Sequence, residues 1–176
     1  MAVAACSPRS QESARSEAVL EIPLRNGADS VELVSMLRRY AASEGGMHVD
    51  DVSEQWREFD RQSNMMAPRD RLTINVGVWR GENDDEPTIL VDDRYHPGRA
   101  WVTFLRGTQP ERNATLRNAL ISEMRRRWPD SQPIPILPSG GVPLASDLVE
   151  TPDGYRITHS AATRYELPPD SLLVAR

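Results

Sequence analysis

The chain contains no lysine; all 21 basic residues among its 176 are arginine. That removes a P-loop lysine, Schiff-base chemistry and a lysine general base. A GC-rich coding sequence accounts for the bias without invoking function. There is a single cysteine, Cys6, so neither an intrachain disulfide nor a cysteine-based zinc site can form. Three histidines stand at positions 48, 96 and 159 with no ligand spacing among them. No stretch approaches the 18 or so apolar residues of a transmembrane helix. A formal charge of −5 argues against nonspecific nucleic-acid binding, which needs a strongly basic face. No internal repeat is visible. No cofactor, metal or nucleic-acid partner is expected, and no set of residues reads as a catalytic signature.

What is present is enough for one domain. A chain of this length buries about 70 % of its unfolded surface, and four tryptophans supply large core or interface side chains. Residues 19–24, VLEIPL, read as a first strand whose proline suggests an edge or a strand end. Asn26-Gly27 marks a turn. Asp29-Ser30-Val31-Glu32 fits a capping box at the start of a helix over 29–44, with Val31, Val34, Leu37 and Ala41 on its buried stripe and Gly45-Gly46 as the stop. Val49, Val52, Trp56 and Phe59 follow at helical spacing and predict a short amphipathic helix. Leu72, Ile74, Val76 and Val78 alternate as a half-buried strand, with Trp79 on its other face. Residues 88–91 and 100–105 complete a meander, the latter placing Val102 and Phe104 on one face and Trp101, Thr103 and Leu105 on the other. A second capping box, Thr108 to Glu111, predicts a helix over 109–128, ended by Pro129. Pro152-Asp153-Gly154 signals a hairpin over 148–158.

The expected fold is therefore α+β, an antiparallel sheet with two long helices on one face. The order suggests a ferredoxin-like, split β-α-β core with a helical insert and a C-terminal hairpin. Residues 1–17 read as a truncated signal and tether, 18–138 as the core domain, and 139–176 as a loop, hairpin and tail packed on it.

Several short strings invite a chemical reading. His96, close to Asp92 and Asp93, could act as a general base oriented by a carboxylate; a solvated turn is the plainer explanation. Glu82, Asp84, Asp85 and Glu86 could bind a hard cation with Asp92 and Asp93, but EF-hand spacing is missing and a soluble sheet edge explains them. Arg125-Arg126-Arg127 offers an anion patch, or simply complements a helix C-terminus. Ser139-Gly140-Gly141 lacks both the nucleophile-elbow pattern and a following helix. His159-Ser160 is two adjacent residues and presents no nucleophile–base pair. Asn113-Ala114-Thr115 is a glycosylation sequon inside a predicted helix.

The string Val3-Ala4-Ala5-Cys6, followed by the small polar run SPRSQESARS, resembles the lipobox and tether of bacterial lipoproteins. The resemblance implies acylation of Cys6, attachment to a membrane through that lipid, and residence on the periplasmic side of a bacterial envelope. Ser7 implies the outer rather than the inner membrane. The expected function is accordingly a non-enzymatic, anchored binding or interaction module, an accessory or immunity-type lipoprotein with a protein partner. The expected contact surface is the sheet face bearing Trp79, Trp101 and Leu105, unless the C-terminal hairpin covers it. The competing expectations are a small hydrolase or metal-dependent enzyme using His96 with Asp92 or Asp93, and an unanchored cytoplasmic α+β protein.

Overall fold

The computed structural model describes residues 12–63, 74–81, 86–96, 98–152 and 154–168, with the side chains at 60, 63, 86 and 94–96 left aside. The chain runs β1 (Ser16–Pro23), α1 (Gly27–Glu44), β2 (Met47–Asp51), α2 (Ser53–Ser63), β3 (Asn75–Arg80), β4 (Glu86–His96), β5 (Arg99–Leu105), α3 (Pro110–Arg127), β6 (Gln132–Pro133), β7 (Leu148–Thr151), β8 (Gly154–Ile157) and α4 (His159–Arg164). Six strands form one sheet in the order β2-β3-β4-β5-β1-β6, and β7 pairs with β8. Every pairing is antiparallel. The fold is thus α+β, as expected. The ferredoxin-like order finds no support, because β1 sits between β5 and β6 with no parallel neighbour.

One face of the sheet carries the main core. Leu20, Ile22, Val76, Val78, Ile89, Val91, Val102 and Phe104 point to it by strand alternation. Against them pack Leu33, Met36 and Leu37 of α1, Leu116, Leu120 and Met124 of α3, and Trp128. The two helices lie side by side and antiparallel. Glu32 pairs with Arg127, Tyr40 Oη donates to Glu123 Oε2 at 2.7 Å, and Arg112 Nε donates to Glu44 Oε2 at 3.1 Å.

Three local expectations change. The cap of α1 is Asn26, whose side chain accepts from Ala28 N at 2.8 Å and Asp29 N at 3.2 Å; Asp29 reaches back to Arg25 N at 2.8 Å. Glu32 is therefore released from capping to pair with α3, and Val31 turns outward, 67 % exposed. At α3 the N-cap is Gln109, with no side-chain cap bond, and Pro110 opens the helix. Finally, the segment from Val49 does not begin a helix. Residues 47–51 pair with β3 from Met47↔Arg80 to Asp51↔Val76, and the helix starts only at Ser53, whose N–H donates to Asp51 Oδ1 at 3.2 Å.

Candidate functional site

The expected contact surface is closed over most of its extent. Trp101 and Leu105 are buried. Trp101 packs with Val19, Ile134 and Tyr155, flanked by Ile136, Val142, Ala145 and Leu148, so the C-terminal segment and its hairpin lie on this face. Physically, the strand β5 needs cover on both sides, and the last third of the chain supplies the second layer.

A buried carboxylate fastens that layer. Glu21 of β1 is 2 % exposed. Its Oε1 accepts from Arg99 Nη1 at 2.6 Å and from Tyr155 Oη at 2.8 Å, and its Oε2 accepts from Trp101 Nε1 at 2.8 Å. The bond to Glu21 raises the Arg99 pKa further above its ordinary range. Burial, reinforced by donation to Glu21, pushes the Tyr155 hydroxyl well above the usual tyrosine range. Two of its donors, Arg99 and Trp101, stand on the neighbouring strand β5 and the third, Tyr155, on the hairpin, so Glu21 links the hairpin to the sheet. A second clamp lies further along the chain. Asp147, 4 % exposed, accepts from Arg164 Nη1 at 2.9 and 3.0 Å and from Tyr165 Oη at 2.5 Å, tying the end of α4 to the turn before β7. Neither cluster was visible in the sequence, since the partners stand far apart along the chain.

Only the outer part of this face remains partly open. Trp79 lies across Gly77, where a Cβ would come within 2.3 Å of its Nε1. The indole is half-buried, and Leu90 beside Gly77 is exposed. Of the three residues expected to form one surface, Trp79 alone is partly accessible.

Among the described residues, other large apolar side chains are exposed singly on α1 (Val31) and in the C-terminal segment (Leu144, Val149), and as a pair on α2. Helix α2 exposes Trp56 (40 %) and Phe59 (55 %), which meet edge to face with ring centroids 5.8 Å apart. Their placement follows from the local sequence. Three residues apart on a helix, they share a face, while Glu54, Arg57, Glu58 and Arg61 neutralise one another on the rest of it: Arg57–Glu54 2.9 Å, Arg61–Glu54 2.8 Å and Arg61–Glu58 2.6 Å. The first turn of α2 also borders a cavity of about 530 Å³, walled by Leu24, Val31, Val34 and Ile74 and edged by Arg38, Asp51, Ser53 and Arg57. Arg38 stands 3.6 Å from Asp51. Ser53 Oγ donates to Asp51 Oδ1 at 2.6 Å and accepts from Asn75 N at 2.8 Å, anchoring α2 to the sheet.

The remaining sequence candidates fall as follows. Cys6 lies outside the described residues, as do residues 82–85. His96 ends β4 opposite Arg99. Asp93 is buried and its Oδ1 accepts from Ile74 N at 3.3 Å, whereas Asp92 is half-buried and pairs in register with Asn75 and Trp101. Ser139-Gly140-Gly141 is a tight turn packed on the Arg15 side chain, with Gly140 at φ +84°. Arg127 pairs with Glu32 and lies 5.9 Å over Trp128. Asn113 is buried, donating to Arg106 O at 3.0 Å and accepting from Arg80 at 3.1 Å. Residues 12–16, expected as tether, are already bonded to the body: Ser16 N donates to Gly140 O at 2.9 Å and Gly107 N to Ser13 O at 2.9 Å.

Among the described residues, no group of three or more His, Cys, Asp or Glu is placed to hold a metal ion, and no helix is long and apolar enough to cross a membrane. Comparison with known proteins finds no matching family, no matching curated protein and no matching solved structure.

Proposed function

We propose that this protein is a non-enzymatic interaction module of the bacterial envelope, held to its membrane through a lipid on Cys6, with α2 as the element that meets a protein partner. The observation that carries the contact reading is the Trp56–Phe59 pair. Two large aromatic side chains stand exposed side by side on a short helix on which Glu54, Arg57, Glu58 and Arg61 pair among themselves. Aromatic residues of this kind anchor interfaces, and side-chain charges already paired lower the desolvation cost of covering them. The anchoring reading rests on the lipobox resemblance of Val3-Ala4-Ala5-Cys6.

Burying the exposed parts of Trp56 and Phe59 is worth about 2 kcal/mol together, or about thirtyfold in Kd. The test compares recovery of an envelope partner by the wild type, by Trp56→Ala/Phe59→Ala and by Trp79→Ala, each confirmed folded. A partner kept by Trp79→Ala and lost by the double variant supports the assignment; equal retention by the double variant refutes it. For the anchor, the gene is expressed with its native upstream region and followed by detergent partitioning. Wild type in the detergent phase with Cys6→Ala in the aqueous phase supports lipidation, and both in the aqueous phase refutes it.

A further inference from the structure

The two edges of the sheet are built differently. At one end β6 is two residues long, carries Pro133, is followed by Pro135, and runs beside the C-terminal hairpin. Proline and short length are common devices for blunting an edge. At the other end β2, Met-His-Val-Asp-Asp, contains neither proline nor glycine. Its ladder phase can be read from the bonds that flank it. Gly81 N donates to Gly46 O at 3.1 Å and Val52 N donates to Asn75 O at 3.0 Å. With Met47↔Arg80 to Asp51↔Val76 in register, His48 and Asp50 then exchange hydrogen bonds with β3. The backbone N–H and C=O groups of Met47, Val49 and Asp51 consequently point away from the sheet, and no backbone bond among the described residues engages them.

We propose that β2 pairs with β2 of a second copy of this chain, antiparallel about a two-fold axis at Val49, to form one continuous sheet. A two-fold interface requires a self-complementary strand, and this strand is one. Centred on Val49, the register uses all five residues and gives each outward backbone group a partner: Val49 faces Val49, and Met47 faces Asp51 of the other copy. It also sets His48 directly against Asp50 of the second copy, twice, in the non-hydrogen-bonded kind of pair whose side chains lie closest. Opposite charges in that position favour pairing, and like charges oppose it. Both residues lie on the sheet face that carries Trp79, where His48 is Trp79's own register partner and Asp50 is exposed. The pairing uses none of the groups assigned to partner contact on α2, so the two readings fail separately.

Sedimentation equilibrium on the full chain tests the pairing. The wild type is expected to show a monomer–dimer equilibrium. Val49→Pro should abolish it while leaving the circular dichroism of the monomer native, because the lost N–H points away from β3; the melting temperature of the monomer falls modestly, since the Val49 side chain packs against the main core. His48→Asp and Asp50→His should each weaken association about tenfold, and the double swap His48→Asp/Asp50→His should restore it. A wild type that stays monomeric up to about 1 mM, a dimer indifferent to Val49→Pro, or a double swap no better than the single variants would each overturn the proposal.

Discussion

Glu21→Gln is the sharpest probe of how the C-terminal third is held down. The amide is nearly isosteric, so no cavity confuses the result. In the native site three donors converge on the carboxylate: Arg99 Nη1, Tyr155 Oη and Trp101 Nε1. A glutamine has one acceptor oxygen and an NH₂ group that donates only. With its oxygen toward Arg99 and Tyr155, the NH₂ opposes the Trp101 N–H. Flipped, it opposes Arg99. Trp101 is 3 % exposed, so losing the acceptor for its Nε1–H costs about 1–3 kcal/mol. The lost charge assistance at the other bonds adds about 0.5–1 kcal/mol, kept low because the Arg99 side chain is 40 % exposed and remains hydrated. The expected loss is about 1.5–4 kcal/mol. In urea, with a slope of about 2 kcal/mol/M, the midpoint should fall by about 1–2 M with the slope unchanged. Tyr155→Phe alone removes one neutral donor to Glu21 and an acceptor for Arg99 Nη1 at 3.1 Å, and should cost about 1–2 kcal/mol. Because both act on one carboxylate, the double variant should fall short of the sum. A Glu21→Gln midpoint within error of wild type, or strict additivity with Tyr155→Phe, would refute the clamp.

Tyr155 also makes a pH prediction. Its folded-state pKa lies above the ordinary 10.0, so folding favours the protonated phenol. That contribution is complete below pH 10 and is lost as pH rises from there toward the raised folded value, so stability should decline above about pH 10. Urea midpoints from pH 8 to 11 should fall less steeply in Tyr155→Phe; equal slopes would contradict the assignment. Leu120→Ala, at a fully buried position between helices and sheet, should cost about 2–5 kcal/mol in the same assay. Gly77→Ala should displace the Trp79 ring, because the new Cβ meets Nε1 at 2.3 Å. The ring is half-buried, so the cost should stay near 1 kcal/mol while tryptophan emission shifts; unchanged emission would mean the indole does not lie on Gly77.

The elements that announce themselves by local pattern were legible in the chain alone. Val34, Leu37 and Ala41 in α1 and Leu116, Leu120 and Met124 in α3 recur at helical spacing and are buried against the sheet, whereas Val31, expected on the same stripe, faces solvent. Alternation in 74–78 and 100–105 assigned the faces of β3 and β5 correctly, and Pro-Asp-Gly marked the β7–β8 hairpin. Short, polar β2 was missed because Val49, Val52 and Trp56 mimic helical spacing, while its strand character comes from pairing with β3. Likewise nothing in the one-dimensional pattern distinguishes the buried fate of Trp101 from the exposure of Trp56. Alternation says which face a side chain points to, and only the packing of residues 134–155 decides whether that face meets water. Glu21 looked like a polar residue inside an apolar strand. Its burial depends on Arg99, Trp101 and Tyr155, brought together from up to 134 residues away by sheet order and hairpin docking. Periodicity is a property of neighbours along the chain, so it determined the helices, most strands and their apolar faces. Strand order, the second layer and the buried charge cluster depend on contacts between distant segments, and these the tertiary structure alone decided.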